Sequence, residues 1–229
     1  MVCLGFAGGL AAQTVTVTTA VSITRKDGAK TAKIEQSGVV VWLRPVASEA
    51  RGVPPGGTAG RFEIRQIHKR FEPHVLAVPV GSTISFPNLD PFFHNVFSLY
   101  DGNRFDLGLY EAGATHSAHF DRPGVCFLFC NIHPEMSAIV VVVDGPFGVS
   151  GADGRISIPS VPPGRYLVYA WHERARAAAP DTRPAEVTIG ADNRSIPVIR
   201  LIDSGALIAP HKNKYGVDYT TAAPGIIYK

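Results

Sequence analysis

The residues with the clearest chemistry lie in two short stretches of the chain. Cys130, His133 and Met136 fall within the seven-residue sequence CNIHPEM, and His94 stands upstream in the sequence PFFHN. One cysteine sulfur and two histidine nitrogens in a plane, with a weak axial methionine, suit copper in both of its oxidation states. These four residues therefore predict a site for one copper ion that passes single electrons.

The composition limits the other classes of function and indicates the fold class. The chain has 229 residues, of which 45% are hydrophobic and 18% charged, so it can bury one large core or two small ones. The formal net charge is only +3 and no run of Lys or Arg occurs, which gives no signal for a nucleic-acid partner. No apolar run reaches the roughly 18 residues of a membrane span. Short segments rich in Val, Ile and Phe, with 23 Gly and 18 Pro, predict an all-β protein.

The first residues resemble an export signal. Residues 1–13 are apolar and rich in small residues, like the hydrophobic region and cleavage end of a secretory signal peptide, although the usual basic start is absent. A disordered terminus or a first strand is the alternative. We expect a periplasmic or secreted protein, in which a free cysteine needs protection from oxidation, and metal ligation by Cys130 provides it.

The strand pattern surrounds the candidate ligands. Apolar and β-branched runs predict strands over residues 14–23, 38–43, 62–67, 74–81, 82–88, 105–110, 114–120, 125–130 and 139–143. The strand over 82–88 is broken by proline and asparagine shortly before His94, so we expect His94 on a loop at the end of a sheet. The turn sequence DRPG precedes the strand that leads to Cys130.

Residues 61–145 resemble a cupredoxin, most closely the amicyanin and plastocyanin branch. The motifs that carry the resemblance are VPVGSTISFPN, PFFHN, DRPG and CNIHPEM, the last with the short spacing between ligands that is typical of amicyanin. The resemblance implies a Greek-key β-sandwich with a type 1 (blue) copper centre, and it implies that Asn95 ties the His94 loop to the Cys130 loop. Glu135 and Ala138 depart from the residues usual in this family.

Residues around the ligands predict where electrons enter and leave. Pro134 stiffens the short ligand loop and removes one N–H donor. His133, carried on that loop, is expected at an exposed edge. Phe92, Phe93 and Pro134 are expected to form an apolar patch around it, on which a donor or acceptor redox protein docks.

A second module is indicated on both sides of this segment. The sequences ADGRISI and VPPGRYLVY after residue 145 resemble the second half of a carboxypeptidase-regulatory-like (transthyretin-like) β-sandwich, and residues 14–45 could supply its first half. We therefore predict a discontinuous sandwich of residues 14–47 and 146–205, a linker over 48–60, an inserted cupredoxin over 61–145, and an irregular tail over 206–229.

Other interpretations of the ligand stretch remain open. Cys126 and Cys130 with His133 could form a dithiol site for Cu(I) or zinc, although residues four apart on a straight strand lie about 13 Å from each other. A copper-delivery protein would need a more open site, and a binding module could use the cupredoxin only as a scaffold. An oxidase-type enzyme would need an open copper position or a second centre, and the sequence contains no His-x-His pair. We therefore expect an electron carrier and not an enzyme.

Overall fold

The computed structural model describes residues 14–25, 35–46, 59–176, 184–205 and 212–219. Every regular element in these residues is a β-strand, which confirms the all-β class. Within the same residues, no helix has the length and apolar character that crossing a membrane requires. The signal-like segment 1–13, most of the linker 48–60 and much of the tail 206–229 lie outside the described residues.

The strands follow the predicted apolar runs closely. In chain order they are β1 (Val15–Arg25), β2 (Val40–Pro45), β3 (Arg61–Glu63), β4 (Arg65–Ile67), β5 (Arg70–Glu72), β6 (Val75–Pro79), β7 (Ser82–Pro87), β8 (His94–Ser98), β9 (Phe105–Tyr110), β10 (Thr115–Phe120), β11 (Gly124–Phe129), β12 (Ser137–Val143), β13 (Phe147–Val149), β14 (Arg155–Val161), β15 (Gly164–Trp171), β16 (Ala175–Arg176), β17 (Ala185–Ile189) and β18 (Ile199–Asp203).

The strands between Arg61 and Val143 form one set of sheets. A five-stranded sheet has the order β6-β12-β11-β8-β9, a three-stranded sheet has the order β10-β7-β3, and β4 and β5 form a separate hairpin. Large apolar side chains from the two sheets share one buried core, which includes Phe86, Phe120 and Leu128. This core also contains Cys130 and Met136, so two of the candidate ligands lie in the interior of the sandwich.

The strands before and after this segment form the other set. One sheet has the order β14-β1-β18-β16 and the other has the order β13-β2-β15-β17, so β1 and β2 pair with strands that follow residue 146. Val17, Leu43, Ile158 and Tyr166 lie in the core between these sheets. The domain boundaries given above stay a prediction, because several fall in residues outside the described ranges.

A third apolar cluster joins the two sets of sheets. Along β12, Ala138, Val140 and Val142 face the core of the segment that carries the ligands. The alternate residues Ile139, Val141 and Val143 face the opposite way, where they pack with Val40 of β2 and Ala77 of β6. Successive side chains point to opposite faces of a strand, so the sequence of a strand that is buried on both faces is an unbroken run of apolar residues.

Two details of the strands differ from the sequence prediction. His94 was expected on a loop, but it is the first residue of β8 and is fully buried. The strand predicted over 62–67 is divided at Ile64 into β3 and β4, which pair with different partners. Both differences depend on which strands these residues pair with, and a local apolar pattern does not specify strand pairing.

Candidate metal centre

The ligand loop closes the hairpin between β11 and β12. The antiparallel register of these strands ends with Phe129 opposite Ser137. One step further, the backbone N–H of Cys130 donates to the carbonyl oxygen of Met136, at an N···O distance of 3.3 Å. Cys130 and Met136 therefore extend the ladder as facing residues, and directly opposite residues have Cβ atoms about 4.5–5.5 Å apart.

A tight turn inside this loop sets the position of His133. The N–H of Met136 donates to the carbonyl oxygen of His133 at 3.0 Å, and Pro134 is the second residue of this turn. Proline is favoured at that position because its fixed φ matches the turn. The turn brings the His133 ring back toward Cys130.

Three donor atoms converge beside this loop. The Nδ1 atoms of His94 and His133 are 3.1 Å apart. The Cys130 Sγ lies 4.0 Å from the His94 Nδ1 and 3.7 Å from the His133 Nδ1. Within the described ranges, these residues form the one group of His, Cys, Asp or Glu side chains arranged to hold a metal ion.

Met136 lies opposite Cys130 across the hairpin. The Met136 side chain is fully buried in the same core cluster as that of Cys130, and the residue stands directly before β12. The ladder between Cys130 and Met136 sends both side chains to the same face of the sheet. A thioether together with a thiol and two imidazoles would be the donor combination of a mononuclear copper site.

Burial controls the protonation of the three donors. Burial lowers the pKa of both His94 and His133 from the ordinary value, although Asp90 partly opposes this at His94. Burial also raises the pKa of the Cys130 thiol. Both imidazoles are therefore neutral near pH 7, as metal binding requires, and the thiol loses its proton when a metal binds.

The donor set and its surroundings fit copper. A soft sulfur and two imidazole nitrogens favour copper or zinc, and the buried thioether favours copper over zinc, which takes N, O and thiolate ligands. His94, Cys130 and Met136 are fully buried and His133 is partly exposed, so one of the four candidate ligands reaches the surface.

Asn95 links β8 to the ligand loop. This buried side chain donates from Nδ2 to the Asp106 Oδ1 at 2.7 Å and to the Gly108 carbonyl oxygen at 2.8 Å. Its Oδ1 accepts the N–H of Asn131 at 3.3 Å. Asn95 therefore bonds the strand that begins with His94 to the residue that follows Cys130.

The two phenylalanines before His94 occupy different positions. The Phe92 ring is half-buried and contacts both imidazoles, with ring centroids 5.2 Å from His94 and 5.7 Å from His133. Phe93 is 51% exposed, and Pro134 is also exposed. Phe92 thus packs against both imidazoles, whereas Phe93 and Pro134 are exposed to solvent.

Sequence reasoning missed two apolar residues and a carboxylate next to the site. Leu89 and Ile132 are exposed large apolar side chains on the two segments that carry the candidate ligands, and Ile132 directly precedes His133 in the chain. The carboxylate of Asp90 lies 2.8 Å from the His94 Nε2. Its spacing of four residues from a candidate ligand was the available signal.

The C-terminal tail contacts the ligand loop, which sequence reasoning also missed. The Tyr219 hydroxyl donates to the carbonyl oxygen of Cys130 at 2.7 Å. The N–H of Lys214 donates to the Asn131 Oδ1 at 3.1 Å, and its Nζ lies 2.6 Å from the Asp106 carboxylate. Residues 212–219 have no regular secondary structure, as predicted for the tail, and nothing in their local pattern indicates these long-range contacts.

Cys126 lies outside the group of donors. It is fully buried on β11, and the Asn103 side-chain Nδ2 lies 3.3 Å from its Sγ. Burial raises the pKa of the Cys126 thiol to about 11. The group that could hold a metal includes Cys130 but not Cys126, which counts against the dithiol interpretation.

Comparison with solved structures finds proteins that are similar to part of this chain. A purple cupredoxin from Nitrosopumilus maritimus matches with 24% identity and a TM-score of 0.33, over 35% of this chain and 98% of its own. A reduced Cu(I) form of an amicyanin variant matches with 22% identity and a TM-score of 0.34, over 44% of this chain and 90% of its own. A copper-containing nitrite reductase from Thermus scotoductus SA-01 matches with 27% identity and a TM-score of 0.35, over 44% of this chain and 25% of its own.

No protein-family model and no curated protein sequence matches the chain. The resemblance of the other sandwich to a carboxypeptidase-regulatory-like module stays a prediction. The candidate metal centre is therefore supported by the geometry of the residues described above.

Replacing Cys126 by serine separates the two interpretations of the cysteines. We expect Cys126→Ser to keep one bound copper per chain, since Cys126 is outside the donor group. We expect it to lower the free energy of unfolding by about 1–3 kcal/mol, because a buried hydroxyl replaces the thiol. Copper stoichiometry and denaturant unfolding measure the two effects. Loss of copper from this variant would instead support a dithiol site.

Proposed function

We propose that this chain carries single electrons on one copper ion bound by His94, Cys130, His133 and Met136. The observation that carries the proposal is the convergence of the Cys130 Sγ and the two Nδ1 atoms within 4.0 Å of one another. Copper held by a thiolate, two imidazoles and a thioether supplies a one-electron couple between Cu(I) and Cu(II).

The chain holds these donors rigidly, which is what an electron carrier needs. His94 begins a strand paired with β9 and adjacent to β11, and Cys130 and Met136 extend the β11–β12 ladder. Donors fixed by a close-packed sandwich change position little between two oxidation states, because packed interiors resist small displacements. The donors around the copper ion then rearrange little when an electron is gained or lost.

We propose that electrons pass through the edge of His133. This ring is partly exposed, whereas His94 is fully buried. Exposed apolar side chains lie on the same two segments as the candidate ligands, namely Leu89, Phe93, Ile132 and Pro134. We propose that they form an apolar surface around this ring, because such surface favours the docking of another protein. The proposed partners are a donor and an acceptor redox protein that bring their own redox centres to this surface.

The closed site favours a carrier over an enzyme or a delivery protein. Turnover needs an open metal position, and delivery needs a site from which the ion exchanges readily. Here Met136 is buried on the interior side and Phe92 covers both imidazoles. We further propose a periplasmic or secreted location, supported by the signal-like residues 1–13 and by the protection that metal binding gives to Cys130.

The pairing of strands supports the proposed division of the chain. Residues 14–47 and 146–205 are proposed to form one sandwich, and residues 61–145 the copper domain. Val40, Ile139 and Val141 are buried where the two meet, so we expect the copper domain to be fixed against the other sandwich.

Replacing Met136 by leucine tests whether the thioether is a ligand and whether the bound copper cycles between Cu(I) and Cu(II). The copper-loaded native chain should show one reversible one-electron wave in protein-film voltammetry. We expect Met136→Leu to keep that wave and to raise its midpoint potential, because the variant loses a neutral donor that favours Cu(II). A tenfold selective loss of Cu(II) affinity corresponds to a rise of about 59 mV.

Leu76, another apolar residue packed against the same core, provides a control. Leu76→Met changes side-chain chemistry by a similar amount and should leave the potential unchanged. A lowered potential in Met136→Leu would contradict the assignment of Met136 as a ligand. Absence of any wave in the native chain would contradict the carrier function itself.

Replacing Phe93 by aspartate tests the surface around His133. Two copies of the chain that exchange an electron through this surface must bring their patches together, so a new charge on each copy opposes the encounter. We expect Phe93→Asp to slow self-exchange between the Cu(I) and Cu(II) forms by about tenfold at low salt, and less at high salt. NMR line broadening in mixtures of the two forms measures this rate.

Val149→Asp is the matched control, because Val149 is 43% exposed on β13 of the other sandwich. It should leave the exchange rate unchanged. Equal slowing by both variants would point to a general effect of charge, and no slowing by Phe93→Asp would place the exchange surface elsewhere.

A further inference from the structure

The first candidate ligand has a buried anionic partner on its far side. The Asp90 Oδ2 lies 2.8 Å from the His94 Nε2, and the side chain of His94 is fully buried while that of Asp90 is 6% exposed. A carboxylate can only accept a hydrogen bond, so the proton of the neutral imidazole must be on Nε2. The lone pair of His94 is then on Nδ1, the atom that faces Cys130 and His133.

A two-residue turn in the β4–β5 hairpin holds this carboxylate in place. The N–H of His68 donates to the Asp90 Oδ1 at 2.7 Å, and the N–H of Lys69 donates to the Oδ2 at 2.9 Å. Both turn residues have a φ of 54°, in the left-handed region that non-glycine residues rarely adopt. Two left-handed residues are the geometry of the hairpin turn that matches strand twist, and they aim successive N–H groups at one anion.

The hairpin is tied to the same segment at a second point. The N–H of Leu89 donates to the carbonyl oxygen of Gln66 at 2.8 Å, beside a bridge between Gln66 and Asn88. The N–H of Asp90 donates to the Asn88 Oδ1 at 3.1 Å. Asp90 thus has three hydrogen-bond donors on its carboxylate and a fixed backbone, so it is oriented before any metal binds.

We propose that Asp90 is a positioning residue that fixes the tautomer of His94 and makes its Nδ1 a stronger donor to the oxidised ion. Partners on the far nitrogen of a ligating histidine orient the ring and increase its basicity. The buried negative charge favours Cu(II), which carries one more positive charge than Cu(I). This inference rests on the proposed copper site.

Replacing Asp90 by asparagine tests the charge while it keeps a carbonyl oxygen beside His94. We expect Asp90→Asn to weaken Cu(II) binding by about 10–100-fold, as loss of such a partner usually does. Cu(I) binding, which depends more on the Cys130 sulfur, should weaken less. The midpoint potential should then rise by about 59 mV for each tenfold difference between the two losses. Competition titrations with chelators of each oxidation state, together with voltammetry, measure these quantities.

Glu135→Gln provides the matched control. Glu135 is an exposed carboxylate in the ligand loop, next to Met136, so its removal deletes the same charge close to the site. Solvent and salt screen an exposed charge, and we expect only a small potential shift that disappears at high ionic strength. The shift of the midpoint potential in Asp90→Asn should persist at high ionic strength.

A second measurement on the native chain does not depend on how the variant folds. In the diamagnetic Cu(I) form, nitrogen-15 NMR should show the His94 proton on Nε2, hydrogen-bonded and slow to exchange with solvent. An Asp90→Asn potential equal to the native one would overturn the inference while leaving the copper site intact. A proton on Nδ1 would overturn it as well, and would also remove the His94 Nδ1 from the ligands of the proposed site. A native chain that binds no copper would overturn the proposed function together with this inference.

Discussion

The antiparallel ladder between β11 and β12 is the constraint on which the candidate centre depends. Its register runs from Gly124 opposite Val142 to Phe129 opposite Ser137, and the Cys130 N–H to Met136 carbonyl bond adds one further step. Because the strands are held in register, the seven residues from Cys130 to Met136 have to close a short loop. That closure turns His133 toward Cys130 and places the side chains of Cys130 and Met136 on one face of the sheet. Candidate ligands that follow one another in the sequence are thereby brought close together.

Burial on both faces of β12 keeps this ladder rigid. One face of the strand contributes Val140 and Val142 to the core that contains the ligands, and the other contributes Ile139 and Val141 to the junction with the second pair of sheets. The Arg44 Nε lies 2.7 Å from the Asp144 carboxylate just beyond the end of the strand. The second sandwich is therefore packed directly against the strand that follows the ligand loop.

The sequence predicted what depends on local pattern and spacing. Apolar periodicity placed the strands within a few residues, and the CNIHPEM spacing indicated residues that the hairpin does bring together. It did not predict that His94 begins a buried strand, because that depends on pairing with β9. It also missed Asp90 and Tyr219: the first is oriented by a turn more than twenty residues away, and the second reaches Cys130 from the C-terminal tail. Such contacts exist only once the chain has folded.

The most direct test of this account is the visible absorption spectrum of the purified chain after one equivalent of Cu(II), compared with Cys130→Ser. A thiolate bound to Cu(II) absorbs visible light intensely, whereas nitrogen and thioether donors do not. The account predicts an intense band that ascorbate bleaches, that returns on reoxidation, and that is absent from the variant. A chain that stays colourless with Cu(II), or a band that survives the loss of Cys130, would contradict it.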